Sequence, residues 1–291
     1  MRAQTAILGS GLACALAACS LTTSLSGLST GEPTADAGTT LDAGDATVAT
    51  GDADTKVDAT TEAGSSAYRA TVLADSPLAY FRFDDTGMVA KDETGAHDGT
   101  YRGVVTHVAG AIAAETSKAA VFDGASYVDV GDVLPFLGAA PFTLEAWASP
   151  VAGATGPACL AAKTFAPGGV SGSVSEGYTL YLDSGSNALE FARFMSSARS
   201  GPAGPGITNG RFTHVVATYD GTTAVIFVDG APTNSATSGE QIATTSGPLT
   251  IGAGRGGIYC FFHGALDEVA VYGAALPVDR IKAHYLAGLA R

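Results

Sequence analysis

The sequence predicts an all-β domain, a two-sheet antiparallel sandwich with a short C-terminal helix, and three observations carry that prediction. The first is where the large side chains begin. No Phe, Trp or Tyr precedes Tyr68, so a packed core has to be built from residues after about position 67. The second is period. Phe142-Thr143-Leu144-Glu145-Ala146-Trp147 and Thr213-His214-Val215-Val216-Ala217-Thr218-Tyr219 alternate as half-buried strands do. The third is turn chemistry: the chain has 38 glycines, and Gly with short Ser, Thr and Ala runs recurs between apolar segments. One sandwich suits the region from 67 to 291, since all-β units reach ~200–250 residues.

The N-terminus reads differently. Met1 and Arg2 precede an apolar run from Ala6 to Leu16, short of the ~20 residues a spanning helix needs but long enough for a secretory signal. The run closes on Leu16-Ala17-Ala18-Cys19, which resembles the lipobox of bacterial lipoproteins. That resemblance implies cleavage after residue 18, acylation of Cys19 and anchoring in the membrane by lipid alone; several acyl chains make such an anchor durable. Ser20 implies the outer membrane or cell surface. Residues 19–66 then form a tether. From Ser20 to Ser66 there are eight acidic residues, one basic residue and almost no large side chain. Such a segment cannot bury enough apolar area to offset its ordering entropy, and its like charges extend it.

In the third segment, residues 67–291, Asp220-Gly221 separates the strand ending at Tyr219 from Ala224-Val225-Ile226-Phe227-Val228, a strong hairpin signal. Tyr178-Thr179-Leu180-Tyr181-Leu182, Leu249-Thr250-Ile251-Gly252 and Leu266 to Tyr272 read as further strands. Ser200 to Gly206 reads as a long mobile loop over the site. Pro277 suits a first helical position, with Val278, Ile281 and Tyr285 on one face of the closing helix.

Several of these runs carry a family resemblance. Arg211-Phe212-Thr213-His214-Val215-Val216, Tyr219-Asp220-Gly221 and Phe227-Val228-Asp229-Gly230 resemble the central hairpin of LamG-like jelly-roll domains of the concanavalin A-like lectin and glucanase superfamily. So do Ile251-Gly252-Ala253, Phe262-His263-Gly264, Leu266-Asp267-Glu268-Val269, Tyr272 and His284-Tyr285; Leu73 to Tyr80 and Phe122-Asp123-Gly124 match its opening third. The resemblance implies a jelly roll of two antiparallel sheets, one concave. It also implies a structural calcium site in which Asp84, Asp92 and Asp267 converge, although Asp84 and Asp92 also suit turns that cap their own backbone.

Chemistry beyond binding finds little support. The chain lacks the Glu-x-Asp-x-x-Glu pattern by which related sandwiches place paired carboxylates, and Asp267 and Glu268, as strand neighbours, are expected to point to opposite sides. The five histidines show no metal-binding spacing, and no nucleophile elbow or P-loop occurs. The formal net charge of −13 argues against nucleic acid. The expectation is therefore a non-catalytic domain that recognises a glycan or a surface protein. Glu145 and Trp147 share one strand face suited to stacking on and hydrogen bonding a sugar, with Tyr181 and Arg193 able to join them; the other reading is that a loop covers this face and Trp147 is simply packed. The alternatives are a structural or adhesive envelope component without a small ligand, and a glycoside hydrolase. Cys14 leaves with the signal and Cys19 carries lipid, so Cys159 and Cys260 remain and are expected to pair in an oxidising compartment.

Overall fold

A computed structural model describes residues 67–290, apart from 154–155, 166–175, 196–197, 238–240 and 243–245. The signal, Cys19 and the tether lie outside the described residues. Alternating apolar runs become strands of two antiparallel sheets, with one α-helix at each end of the described region.

The first sheet contains β1 (Ala79–Phe81), β4 (Thr106–Ala109), β5 (Lys118–Asp123), β7 (Phe142–Pro150), β13 (Thr213–Tyr219), β14 (Thr223–Val228), β15 (Ala231–Thr237) and β17 (His263–Tyr272). Its order is β15-β14-β13-β7-β17-β5-β4, with β1 continuing the β17 edge beyond β5. The second sheet contains β2 (Val89–Ala90), β3 (Gly99–Arg102), β6 (Tyr127–Gly131), β8 (Ala158–Phe165), β9 (Glu176–Leu182), β10 (Ala188–Met195), β11 (Ala198–Ser200), β12 (Ala203–Gly206) and β16 (Leu249–Ile251). Its order is β11-β10-β9-β8-β16-β6-β3-β2, and β12 also pairs with β10.

The main core lies between the sheets. Phe142, Leu144 and Ala146 of β7 meet Tyr178, Leu180 and Leu182 of β9, Phe191 of β10 and Ile251 of β16 there. The hairpin expected at Asp220-Gly221 joins β13 to β14; the Asp220 carboxylate accepts the amides of Thr222 and Thr223 at 2.8 and 2.7 Å.

Three details depart from the sequence reading. Helix α1 (Ala67–Ala74) was not expected; it is short, and only Tyr68 and Val72 are buried. Helix α2 (Val278–Leu289) starts one residue later than predicted, with Pro277 as its N-cap, and buries Ile281, His284 and Gly288 while Val278 stays 49% exposed. The Gly- and Pro-rich stretch after Ser200 is not a long loop over a site. Much of it pairs with β10 as β11 and β12, and the Phe191 amide donates to Pro202 O at 3.2 Å between them.

Candidate functional site

Glu145 and Trp147 do share one face of β7, as alternation requires, but that face is covered. Helices α1 and α2 lie over it, and Tyr68, Val72, Trp147, Val216, Phe227, Tyr272, Leu276 and Ile281 form a second apolar cluster there. Gly288 of α2 sits so close that a Cβ would come 2.5 Å from the Trp147 ring. The indole N–H donates to Tyr68 Oη at 2.9 Å, and the Tyr285 ring stacks alongside at 6.0 Å. Trp147 is therefore a packing residue, unavailable to a sugar.

Glu145 is fully enclosed beside it. Its carboxylate accepts from Tyr68 Oη (3.1 Å), Tyr272 Oη (2.7 Å), His214 Nε2 (2.8 Å) and His284 Nδ1 (3.0 Å). Burial alone would push its pKa up, but the charge of His284 and the hydrogen bonds from His214 and His284 outweigh it and hold the group well below the usual carboxylate range. The other nitrogen of His284 meets the Asp75 carboxylate at 2.8 Å. Two carboxylates facing one ring require two N–H donors, so His284 is an imidazolium. Burial lowers its pKa, but Glu145 and Asp75 prevail and raise it. This network fastens both helices to β7 and leaves no room for a ligand.

Arg193 also leaves the predicted site. It lies two residues from Phe191 on β10, faces the sandwich interior, and places its guanidinium 3.6 Å from the Tyr219 ring centre while donating to Gly138 O at 2.8 Å. The predicted four-residue constellation is thus divided among three places, and only Tyr181 faces open space.

The three aspartates expected to bind calcium each have other partners, although the charge of Asp84 reaches Asp267 and adds to the rise in its pKa. Asp92 is buried and accepts five hydrogen bonds, from the amides of Tyr80, Thr94, Ala96 and His97 and the hydroxyl of Thr94. It is the turn former of the alternative reading. Asp84 is exposed, accepting from the Lys118 amide and pairing with Arg82. Asp267 is internal and accepts the amides of Ala111 and Glu268. Among the described residues no group of three or more His, Cys, Asp or Glu side chains is arranged to hold a metal ion.

Asp267 and Glu268 do not diverge as neighbours on a regular strand should. The register of β17 shifts between Asp267 and Ala270, and Glu268 takes a left-handed φ of 52°. This bulge lets both carboxylates turn into one buried region. Tyr80 donates to Glu268, and Arg82 pairs with Glu268 and Glu115. Burial pushes both acids well above the carboxylate range, and for Glu268 the neighbouring Asp267 charge adds to it. Both side chains are fully buried, and the described partners of the pair are structural.

The outer face of the second sheet is different. Alternation puts Tyr178, Leu180 and Leu182 inside, so Thr179 and Tyr181 point outward; likewise Phe194 points outward from β10. These side chains, Cys159 and Thr164 of β8, Arg199 of β11, Asp183, Ser184 and the β16–β17 connection enclose a cleft of about 330 Å³. That is at the small end for ligand sites. Two tyrosines stand in it, each carrying an arginine: Arg199 lies 5.5 Å from the Tyr181 ring centre, and Arg255 lies 4.6 Å from that of Tyr259. Glu190 orients the first pair, accepting from Tyr181 Oη at 3.1 Å and pairing with Arg199. Tyr259 is 45% exposed. Cys159 and Cys260 are joined in a disulfide at the cleft, with Cα atoms 5.2 Å apart across 101 residues, inside the usual range.

Chemically the cleft offers aromatic faces, guanidinium donors, the hydroxyls of Thr164 and Thr179, and the Asp183 carboxylate. This suits a ligand with both apolar CH faces and many hydroxyls. Asp183 is the one carboxylate among the lining residues, and Glu190 is already committed to Tyr181 and Arg199. Sequence reading missed Arg199, Arg255 and Tyr259. The signal for Tyr259 was its place between glycines and Cys260, since an expected disulfide brings its flanking residues together.

A family model, Laminin_G_3, described as the concanavalin A-like lectin/glucanases superfamily, matches residues 122–282, more than half of the chain. No curated protein matches the chain. Among solved structures, the chain is similar to domain 4 of AbnA, a GH43 extracellular arabinanase from Geobacillus stearothermophilus, in complex with arabinotriose. The identity is 20% and the TM-score 0.52, covering 72% of this chain and 98% of that one. It is also similar to a mutant Trypanosoma rangeli sialidase displaying trans-sialidase activity, at 16% identity and a TM-score of 0.53, covering 75% of this chain but 34% of that one. The binding domain of Paraclostridial Mosquitocidal Protein 1 gives 14% identity and a TM-score of 0.54, covering 73% of this chain and 52% of that one. At these identities the likeness is one of fold.

Proposed function

Because the chain belongs to the concanavalin A-like lectin/glucanases superfamily, we propose that it is a non-catalytic glycan-binding module whose site is the cleft on the outer face of the second sheet. One observation carries this reading. The cleft presents Tyr181 and Tyr259 to solvent with arginines, threonine hydroxyls and one carboxylate around them. Stacking on a sugar ring and hydrogen bonds to its hydroxyls need that combination. The near-complete span of an arabinanase domain solved with arabinotriose makes short arabino-oligosaccharides the first probes. Hydrolysis by two carboxylates needs a spaced pair beside the ligand, and the described lining holds Asp183 alone.

The proposal extends to the chain's placement. Leu16-Ala17-Ala18-Cys19 and the acidic segment to Ser66 support a lipid anchor at Cys19 in the outer membrane and a tether that lets the domain reach surface glycans. The protein would then meet the membrane through lipid, without nucleic acid as a partner. Phase partitioning tests the anchor: wild type should enter detergent, and Cys19→Ala should not. A wild type already soluble overturns it.

The binding test uses the full chain carrying Cys19→Ala on an oligosaccharide array, followed by titration with arabinotriose. Tyr181→Ala should weaken whichever sugar binds at least tenfold, about 1.4 kcal/mol. Equal binding by wild type and Tyr181→Ala moves the site elsewhere, and no binding across the array removes the glycan reading.

A further inference from the structure

The two walls of the cleft are held differently. One is the second sheet itself, where β9 and β10 form a continuous ladder and β11 continues it. The other is the connection from Gly252 to Phe262, which is a strand of neither sheet. It closes on itself through a hydrogen bond from the Gly254 amide to Tyr259 O at 2.7 Å. Its ends are tied into the sandwich: the Gly252 amide donates to Leu160 O at 3.0 Å, the Gly124 amide donates to Phe262 O at 3.1 Å, Ala253 O accepts from Thr250 Oγ1 at 2.8 Å, and the Phe261 ring meets that of Tyr127. Three further links act nearer its middle. The Cys159 amide donates to Cys260 O at 2.7 Å, the Arg255 amide donates to Thr164 Oγ1 at 3.0 Å, and Cys260 is bonded to Cys159.

The connection rests directly on that bond: a Cβ at Gly254 would come 3.0 Å from Cys159 Sγ. Its residues Arg255 and Cys260 take left-handed φ values of 51° and 61°, conformations that persist only where the surroundings impose them. The two cysteines pack with Ala162 and Tyr181 in a small outer cluster, separate from the core between the sheets.

We infer that the Cys159–Cys260 bond is a positioning element for the cleft: it holds Arg255 and Tyr259 opposite Tyr181, and its reduction opens the cleft while the sandwich stays folded. The inference rests on the cleft being the binding site. The reductant is a dithiol. One of its thiolates attacks a sulfur of the bond to form a mixed disulfide, and its second thiol displaces the protein sulfur. Two electrons pass to the protein, which leaves with two thiols, and the dithiol leaves as a cyclic disulfide.

The test compares the full chain carrying Cys19→Ala in oxidised form, after dithiothreitol, and with Cys159→Ala and Cys260→Ala together. Brief trypsin digestion under native conditions is read by peptide mass after Arg255 and after Arg193, which is buried in the sandwich. Cleavage after Arg255 should rise at least tenfold in the reduced protein and the double variant, with cleavage after Arg193 unchanged. An unchanged rate at Arg255, or an equal rise at both sites, overturns the inference, the latter because the bond would then hold the whole sandwich. Arabinotriose titration separates the two readings. Binding by the oxidised form that weakens at least tenfold on reduction supports both, and equal binding in both forms overturns the positioning role. No binding in any form, with the cleavage change intact, removes the glycan reading and leaves the bond as the fixture of the wall.

Discussion

The outer faces of the two sheets carry similar inventories and have opposite roles. On the first sheet a tryptophan, tyrosines, histidines and a glutamate lie beneath α1 and α2 and bond to one another. On the second, tyrosines, arginines and an aspartate line a cleft open to solvent. The difference is one of cover. Alternation along a strand states which side chains share a face, but what lies over that face is decided by elements distant in sequence. Tyr68 and His284 reach Glu145 from 77 and 139 residues away.

The sharpest break to this comparison is Glu145→Ala. It leaves two histidines and two tyrosine hydroxyls buried without their shared acceptor. Removing one partner of a buried charged network costs about 3–5 kcal/mol, so the urea midpoint should fall steeply. Sugar binding at the other sheet, measured where the variant is still folded, should stay within twofold of wild type. A variant of normal stability that no longer binds would reverse the roles of the two faces.

The pH profile comes next, because four buried groups, Glu145, Asp267, Glu268 and His284, bear on it. Glu145 is depressed, so its contribution is present above the ordinary carboxylate value and is lost only as pH falls through a far lower one. Asp267 is raised from 3.8 to about 8 and Glu268 is raised with it. The folded state keeps those protons while the unfolded chain releases them, so stability declines as pH climbs through that window. His284 is raised above 6.5; its contribution is complete below that value and is lost as pH rises through the folded one. The changes at Asp267, Glu268 and His284 point the same way between pH 5 and 8, each at no more than about 1.4 kcal/mol per pH unit. Denaturant midpoints should fall across that range, and Asp267→Asn should flatten the fall. A flat or rising wild-type profile would show that these groups are not enclosed as described.

The fold was legible because its signals are local. The runs of β7, β9, β13, β14 and β17 and the Asp220-Gly221 turn each announce themselves within ten residues. Cys159 and Cys260 were paired from count and compartment, and they meet. The site was legible only in part. Tyr181, expected beside Glu145 and Trp147, lies instead on the outer face of the other sheet, and the choice between an open and a covered face for Glu145, Trp147 and Arg193 stayed undecided in the sequence because nothing in β7 or β10 encodes the helices or the Tyr219 ring that cover them. Asp267 and Glu268 were assigned to opposite sides because a bulge is a break in register against β7, visible only once both strands are paired.

The smallest effect on stability and the finest test of the comparison is Tyr259→Ala. Tyr259 is nearly half exposed, its ring partner is Arg255 within the same connection, and its backbone carbonyl, which the substitution keeps, is what closes the turn. Truncating it removes no core contact, so stability should change by less than about 0.5 kcal/mol, as is usual for surface substitutions. Its ring nevertheless forms part of the cleft, and loss of one stacking face should weaken sugar binding about tenfold. Trp147→Phe gives the converse. It removes the indole donor to Tyr68 and should lower stability by about 1 kcal/mol or more while leaving binding unchanged. Calorimetric titration and denaturation of the two variants side by side separate the faces: binding lost at Tyr259 and stability lost at Trp147 sustain the division, and the reverse pattern would assign the ligand to the face beneath the helices.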